Sequence, residues 1–306
     1  MKTDFLGVTF SSPLILPSGI FTTLNDFQNF KKNGGGGVVT KSYTLHPRQG
    51  NPPPVVARFS SGFINSVGLR NVGIKMALDD IKKFQSQLSI PVIVSIFDTK
   101  VDNFLKMVDL LLPLKPEFIE LNLSCPNVED EFGKSLGNRA DSAYGVTLAV
   151  KKKVGKKTKI IAKLTPNVPN IKEIAKAVEE GGADAISAIN TVGPGMLIDI
   201  NTYRPLIGAK MGGVSGPAVF PIALRCLYEI YQTVKIPLIG MGGVTRFEDA
   251  VAMFLVGAKL IGVGSALYLK GWRVLLEIKK GIENYLEEKG FSSVDEIVGL
   301  AHKINS

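Results

Sequence analysis

Short, continuously apolar segments constrain the fold of this chain more than any other feature. Seven of them are residues 37–40, 92–96, 118–122, 159–164, 185–189, 237–241 and 260–264. Strands that are apolar on both faces are typical of a parallel sheet covered by helices. The segments between them have helical patterns, so the sequence predicts an α/β fold in which strands and helices alternate.

Two of the intervening helices carry clear start signals. Residues 171–180 follow Asn170 as N-cap, with Glu173 at the third helical position. Thr245 is predicted to cap residues 246–258 in the same way, with Glu248 as its partner. A capping residue with an acidic side chain three positions later satisfies the free N–H groups of a helix start.

Seven strands, with an eighth suggested near 206–214, predict a (β/α)8 TIM barrel as one domain over residues 1–306. An open doubly wound sheet would carry a glycine fingerprint after its first strand, whereas glycines 34–37 precede or open that strand. Residues 8–16 are predicted to form a small hairpin that closes one barrel end. The long connection 42–80 is expected to contribute to function.

Composition excludes several classes of protein. The chain has 306 residues and a net charge of +9, carried largely by lysines scattered over predicted helices, which favours solvated faces over a nucleic-acid site. The apolar stretch 251–269 is broken by glycines and is not predicted to span a membrane.

The two cysteines, Cys125 and Cys226, predict no disulfide framework and indicate a reducing, cytoplasmic location. With two histidines far apart, no metal site is expected.

Polar residues recur where the predicted strands end. In a barrel these carboxyl ends meet at one mouth, although a single such residue is equally typical of a turn. The residues are Lys41, Ser95, Asn122, Lys163, Asn190 and Thr191. The pairs Gly242–Gly243 and Gly264–Ser265 end the last two strands, a position that favours phosphate binding through backbone N–H groups.

Cys125 lies in the stretch "LNLSCPNV", three residues beyond a predicted strand. A free cysteine is often a small buried filler, and Cys226, on a predicted amphipathic helix, fits that description. The polar neighbours of Cys125 instead favour a group that moves protons. No histidine is placed to pair with it, which argues against protease-like chemistry.

Taken in order, seven motifs resemble the class 1 dihydroorotate dehydrogenases over residues 10–271. They are "TLHPRQGNPPP", "INSVGLRN", "LNLSCPNV", "KLTPN", "INT", "VSGPAVFP" and "GMGGV". The resemblance implies a TIM barrel that holds FMN at its carboxyl end and oxidises dihydroorotate to orotate in pyrimidine biosynthesis. Cys125 would take the C5 proton while hydride leaves C6 for the flavin; class 2 members use serine at this position.

The resemblance also assigns the binding residues. Orotate would be surrounded by Lys41, Asn65, Ser66, Val67, Gly68, Leu69, Asn122, Asn127, Asn190 and Thr191. FMN would be held by Ser18, Gly19, Lys41, Ser42, Ser95, Asn122, Lys163, Ile189, Gly216, Gly242, Gly243, Gly264 and Ser265. Ser42 and Ser95 depart from the alanine and asparagine expected in the family.

Most motifs look like the NAD-linked type 1B catalytic subunit, whereas "INSVGLRN" is closer to the fumarate-using type 1A. Type 1B implies a homodimer, or a heterotetramer with a partner subunit that carries FAD and an iron–sulfur cluster. Two other interpretations stay open: a tRNA dihydrouridine synthase-like FMN enzyme, and a non-catalytic barrel that binds a phosphate ligand. Neither nucleic acid nor membrane is the expected partner.

Replacement of Cys125 by alanine tests the base assignment. Cys125→Ala should lower turnover about 100-fold or more, the usual contribution of a general base, and leave flavin and orotate binding intact. Steady-state rates with an artificial dye, combined with orotate titrations, measure both. Cys226→Ala is the matched control and should keep turnover near that of the wild type; an equally active Cys125→Ala would contradict the assignment.

Overall fold

The structure, a computed structural model, describes residues 1–123 and 139–303. Its strands are β1 (Thr3–Phe5), β2 (Val8–Phe10), β3 (Leu14–Leu16), β4 (Gly37–Val39), β5 (Val56–Phe59), β6 (Gly62–Asn65), β7 (Val92–Ile96), β8 (Phe118–Asn122), β9 (Lys159–Lys163), β10 (Ala185–Ala188), β11 (Val192–Met196), β12 (Ile198–Asp199), β13 (Arg204–Pro205), β14 (Met211–Ser215), β15 (Leu238–Met241) and β16 (Ala258–Gly262). Its helices are α1 (Leu24–Lys32), α2 (Ile74–Gln87), α3 (Val101–Leu111), α4 (Ala140–Val154), α5 (Ile171–Glu180), α6 (Phe220–Thr233), α7 (Phe247–Leu255), α8 (Ser265–Lys270) and α9 (Val274–Lys289).

The predicted (β/α)8 barrel is confirmed. Within the described residues, parallel strands close in the order β3-β4-β7-β8-β9-β10-β15-β16, and β16 pairs with β3. All seven segments predicted from the sequence contribute a strand to this barrel. Helices cover its outside and pack on outward-facing residues such as Ile119 and Ile160. These strands are buried on both faces, which is why they read as continuous apolar runs.

The predictions for the eighth strand and for the hairpin were wrong. The eighth barrel strand is β3, whose residues are all fully buried, whereas β14 lies in a separate sheet with Met211 half exposed. A glycine-rich strand with one face in solvent cannot fill a barrel wall. The hairpin is β1–β2, because Leu6 and Gly7 take the left-handed conformation that a tight hairpin turn requires.

The hairpin closes the amino-terminal end of the barrel. Phe5 and Phe10 are fully buried, and their rings lie 6.1 and 6.0 Å from that of Phe118, the first residue of β8. Together with Ile161 and Ile239 they form an apolar cluster inside the barrel. This apolar cluster therefore plugs the amino-terminal end, and a functional site is expected at the carboxyl ends of the strands.

A second sheet stands at the carboxyl ends of the strands. It has the order β11-β14-β6-β5 and is built from the connections that follow β4 and β10. The pairing of Asn65 with Gly213 joins the two connections. The long segment 42–80 is thus an ordered part of the barrel mouth.

The two helix starts differ in how well they were predicted. Asn170 caps α5 and accepts a hydrogen bond from the Lys172 N–H, as expected. In α7 the N-cap is Arg246 rather than the predicted Thr245, and Asp249, not Glu248, accepts from the N–H of Thr245, at 2.9 Å. None of the helices in residues 1–123 and 139–303 combines the length and apolar character that a membrane crossing requires.

Truncation of the plug should destabilise the barrel. Phe10→Ala is expected to lower the free energy of unfolding by about 3–5 kcal/mol, the cost of removing a fully buried ring and leaving a cavity. Urea unfolding followed by circular dichroism measures it. Val56→Ala, at a half-exposed position on β5, is the control and should change stability by about 0.5 kcal/mol or less. Similar losses in both variants would contradict the plug.

Candidate active site at the carboxyl end of the barrel

The barrel interior changes from apolar to polar along each strand. On β8, Phe118 faces the inner apolar cluster, so Glu120 and Asn122 point into the barrel above it. On β9, Ile161 belongs to the same cluster and Lys163 lies above it. Asn122 and Lys163 are paired in register across the two strands. Amide and ammonium groups thus meet inside the mouth.

Glu120 is a buried carboxylate that sequence reasoning missed. Its side chain is 1% exposed. Ser95 Oγ donates to Glu120 Oε1 at 2.9 Å, and Ser187 Oγ donates to Glu120 Oε2 at 3.1 Å. The signal was present in the sequence: an acidic residue interrupts the apolar run of β8, as Lys163 interrupts that of β9.

Hydrogen bonds bring several predicted site residues together. Ser42 Oγ lies 2.9 Å from Ser95 Oγ and 3.2 Å from Ser18 Oγ. Asn122 Nδ2 donates to Ser42 Oγ at 3.0 Å. The ends of β3, β4, β7 and β8 are therefore connected by one polar network.

Two lysines supply positive charge to this network. A Cβ atom built on Gly19 would lie 3.5 Å from Lys41 Nζ, which places that ammonium against the loop after β3. Lys163 is 6% exposed. No hydrogen bond or ion pair joins its ammonium to any group in the described part of the chain. Lysine side chains are rarely this buried unless they are paired, so this position suits an anionic ligand.

The glycine-rich strand ends form a closely packed cradle. Gly243 has φ +80°, and a Cβ there would lie 2.9 Å from Gly216 O. Gly216 has φ +105°, and its Cβ would lie 2.6 Å from the Gly62 Cα. A Cβ on Gly242 would lie 3.2 Å from the Ile189 side chain. Next to this cradle, Gly264 and Ser265 begin α8 beyond the adjacent strand β16. Such a surface lets backbone N–H groups approach phosphate oxygens closely.

The remaining predicted substrate residues lie on the inserted sheet and after β10. Asn65 Nδ2 donates to Gly213 O at 3.3 Å, and a Cβ on Gly213 would clash with Thr191 Oγ1. The side-chain oxygen of Asn190 accepts a hydrogen bond from the Thr191 N–H at 2.8 Å. These contacts bring Asn65 and Thr191 to the same side of the mouth.

The loop of residues 66–69 is placed indirectly, by Asn51. The Asn51 amide donates to Ser66 Oγ at 2.8 Å, and its backbone N–H donates to Val67 O at 3.1 Å. Gly68 and Leu69 follow with positive φ. The loop is therefore fixed to the long connection rather than to a barrel strand.

Of the two cysteines, the structure describes Cys226 alone. Cys125 and Asn127 lie outside the described residues, beyond the end of β8. Cys226 is fully buried on α6, where burial raises the pKa of its thiol and favours the unreactive protonated form.

The site as a whole combines cations, amides and a backbone cradle on one face of a rigid barrel. Lysine ammonium groups complement carboxylate or phosphate, and asparagine amides match rings with alternating N–H and C=O groups. The arrangement suits an anionic, planar, hydrogen-bonding ligand together with a phosphate-bearing group.

Comparisons with known proteins agree with this chemistry. The family model for dihydroorotate dehydrogenase matches residues 1–286. A relative from Pyrococcus abyssi is 42% identical over 305 residues, covering 99% of this chain and 100% of its own length. Relatives from Methanothermobacter thermautotrophicus and Brachyspira hyodysenteriae are 38% and 40% identical, each over 99% of this chain and over 98% and 99% of their own lengths. All three are named dihydroorotate dehydrogenase B (NAD(+)), catalytic subunit.

The family model over residues 1–286 and relatives that cover nearly the whole chain show that the chain belongs to the dihydroorotate dehydrogenase family.

Proposed function

We propose that this chain is the catalytic subunit of a flavin-dependent dihydroorotate dehydrogenase that oxidises dihydroorotate to orotate in pyrimidine biosynthesis. The observation that carries the proposal is the largely buried Lys163, whose ammonium has no partner among the described residues, beside Asn122 at the mouth of a barrel that matches this family over residues 1–286. The full-length match to dihydroorotate dehydrogenases disfavours a tRNA-modifying enzyme or a non-catalytic barrel.

FMN fits the residues at the mouth. Gly216, Gly242 and Gly243 put no side chain on these turns, so their backbone could approach phosphate oxygens closely; at Gly216 and Gly243 a side chain would also clash with neighbouring backbone. Lys163 would offset negative charge on the isoalloxazine ring. FMN, when bound, supplies the hydride acceptor of the reaction.

The chain's own residues would bind and orient the substrate. The Lys41 ammonium complements the substrate carboxylate, and Asn65, Asn122 and Asn190 present amides to the ring N–H and C=O groups. Cys125 Sγ takes the proton from C5 as a general base, a role that rests on the sequence alone. Loss of that proton together with a hydride from C6 creates the ring double bond of orotate.

The relatives' names point to the electron acceptor. They specify NAD(+) and a catalytic subunit, so we propose that electrons leave through a partner subunit carrying FAD and an iron–sulfur cluster. The two cysteines of this chain cannot hold a four-cysteine cluster. We propose a homodimer at the centre of such an assembly, in the cytoplasm.

An acceptor panel tests the activity and the partner together. The purified chain should oxidise dihydroorotate with an artificial dye, and reduce NAD+ at a negligible rate because the partner is missing. Orotate production is measured by absorbance with dye, NAD+, fumarate and quinone in turn. Absence of orotate with every acceptor would contradict the proposed function, and rapid reduction of fumarate would contradict the assigned acceptor.

Lys163→Met tests the proposed contact with the flavin. Loss of a charge-assisted hydrogen bond should weaken FMN retention by about 10- to 100-fold. In flavin-free protein the same change breaks no hydrogen bond or ion pair with the described residues, so the urea midpoint should not fall. Flavin fluorescence and urea titrations measure the two effects.

Lys159→Met, at the opposite end of β9, is the matched control and should retain FMN. If Lys163→Met kept FMN as tightly as the wild type, the lysine would not face the flavin.

A further inference from the structure

The sheet at the barrel mouth carries an uneven charge. Of the two connections that build it, residues 42–73 contain three arginines and neither Asp nor Glu, and residues 191–216 contain one arginine, one lysine and one aspartate. Together they hold a net charge of +4, out of +9 for the whole chain. The cations are Arg48, Arg58, Arg70, Arg204 and Lys210, and the acidic residue is Asp199. Charge of one sign on one face creates a field that attracts oppositely charged solutes.

The charge of these five cations is available to molecules in solution. All five side chains are exposed, and none of them forms an ion pair or a side-chain hydrogen bond with the described part of the chain. Asp199 instead accepts hydrogen bonds from the N–H groups of Asn201 and Thr202, at 2.8 and 3.3 Å. Ion pairs within residues 1–123 and 139–303 therefore do not neutralise the positive charge of the sheet.

Two of the cations flank the loop of residues 66–69, which is expected to surround the substrate. Arg48 exchanges backbone hydrogen bonds with Asn71 at 2.9 and 3.1 Å. Arg70 directly follows the loop, and a Cβ on Gly50 would lie 2.8 Å from the Arg70 Cβ. Backbone contacts therefore hold both arginines next to the loop.

One carboxylate lies near Arg48 but is engaged elsewhere. Asp98 and Arg48 line the same cavity, of about 170 Å³. Asp98 Oδ1 accepts hydrogen bonds from the N–H groups of Thr99 and Lys100 at 2.8 and 3.2 Å, and from Asn103 Nδ2 at 2.9 Å. Asp98 thus stabilises the start of α3, and Arg48 keeps an exposed positive charge at the rim of the mouth.

We propose that Arg48 and Arg70 form a cationic entrance that attracts an anionic pyrimidine acid towards the loop of residues 66–69 and raises its association rate without contacting the bound ligand. The proposal rests on the proposed function and deepens it, because it assigns a preference for a substrate that carries a negative charge. Attraction of this kind acts over about 10 Å at an ionic strength of about 0.1 M, so it needs no direct contact.

The test is stopped-flow measurement of orotate association with the FMN-loaded protein at ionic strengths of about 0.01 M and about 1 M, where screening lengths are about 30 and 3 Å. The wild-type association rate should fall at high salt. At low salt, Arg48→Gln/Arg70→Gln should lower it about 3- to 5-fold, since each charge contributes roughly 2-fold at about 10 Å in water. At high salt the two proteins should agree. The dissociation rate, and turnover at saturating dihydroorotate, should not change.

Lys156→Gln/Lys157→Gln is the matched control. These exposed lysines lie in the turn between α4 and β9, at the amino-terminal end of the barrel, and their loss lowers the net charge by the same amount. This variant should keep the wild-type association rate at both ionic strengths. An equal fall in both double variants would overturn the entrance, because net charge alone would then explain the rate.

Three further results would overturn the entrance while orotate binding left the proposed function standing. They are a wild-type association rate that does not depend on salt, an unchanged rate in Arg48→Gln/Arg70→Gln, and a faster dissociation in that variant. The second would leave the positive sheet to another partner, such as an acidic protein surface, and the third would show direct contact with the bound ligand. Failure of the wild type to bind orotate at all would instead overturn the proposed function and the entrance with it.

Discussion

The alternation of side chains along β8 is the constraint on which the structure and its site depend. Phe118, Glu120 and Asn122 all point into the barrel, because successive side chains of a strand face opposite ways. The first meets the rings of Phe5 and Phe10 in the apolar plug. The next two carry a carboxylate and an amide into the opposite end. One strand thus specifies both a packed amino-terminal end and a polar mouth.

Burial makes hydrogen-bond and ion-pair partners important for the polar groups of the mouth. Glu120 and Lys163 are 1% and 6% exposed, at positions where an unsatisfied group costs free energy. Glu120 is satisfied by two serines, and those serines acquire fixed donor directions. Lys163 has no such partner among the described residues, so its charge is available to a ligand. The same environment therefore orders the Glu120 carboxylate and leaves the Lys163 ammonium able to bind an anionic ligand.

Much of this fold could be predicted from the sequence, because buried parallel strands leave a strong apolar signal. The seven longer segments all became barrel strands. β3 was missed because three apolar residues after "SSP" resemble a hairpin arm, and its role depends on pairing with β16, which is distant in the chain. The cap of α7 was misplaced by one residue, since Glu248 and Asp249 are adjacent and only geometry selects between them.

The site was predictable as a set of strand ends, but its internal connections were not. Motif resemblance named Ser42, Ser95 and Asn122 separately, whereas their mutual contacts and the carboxylate beneath them depend on register between strands. Sequence position does not reveal which serine proton points where. The placement of Cys125 and Asn127 stays a prediction from the sequence.

A crystal structure of the purified chain with FMN and orotate tests the central claim most directly. We expect orotate inside the barrel mouth, within hydrogen-bond distance of the Asn122 amide, with the flavin phosphate on the cradle of Gly216 and Gly243. Orotate bound away from the carboxyl ends of the strands, or a flavin phosphate bound away from this cradle, would contradict that expectation.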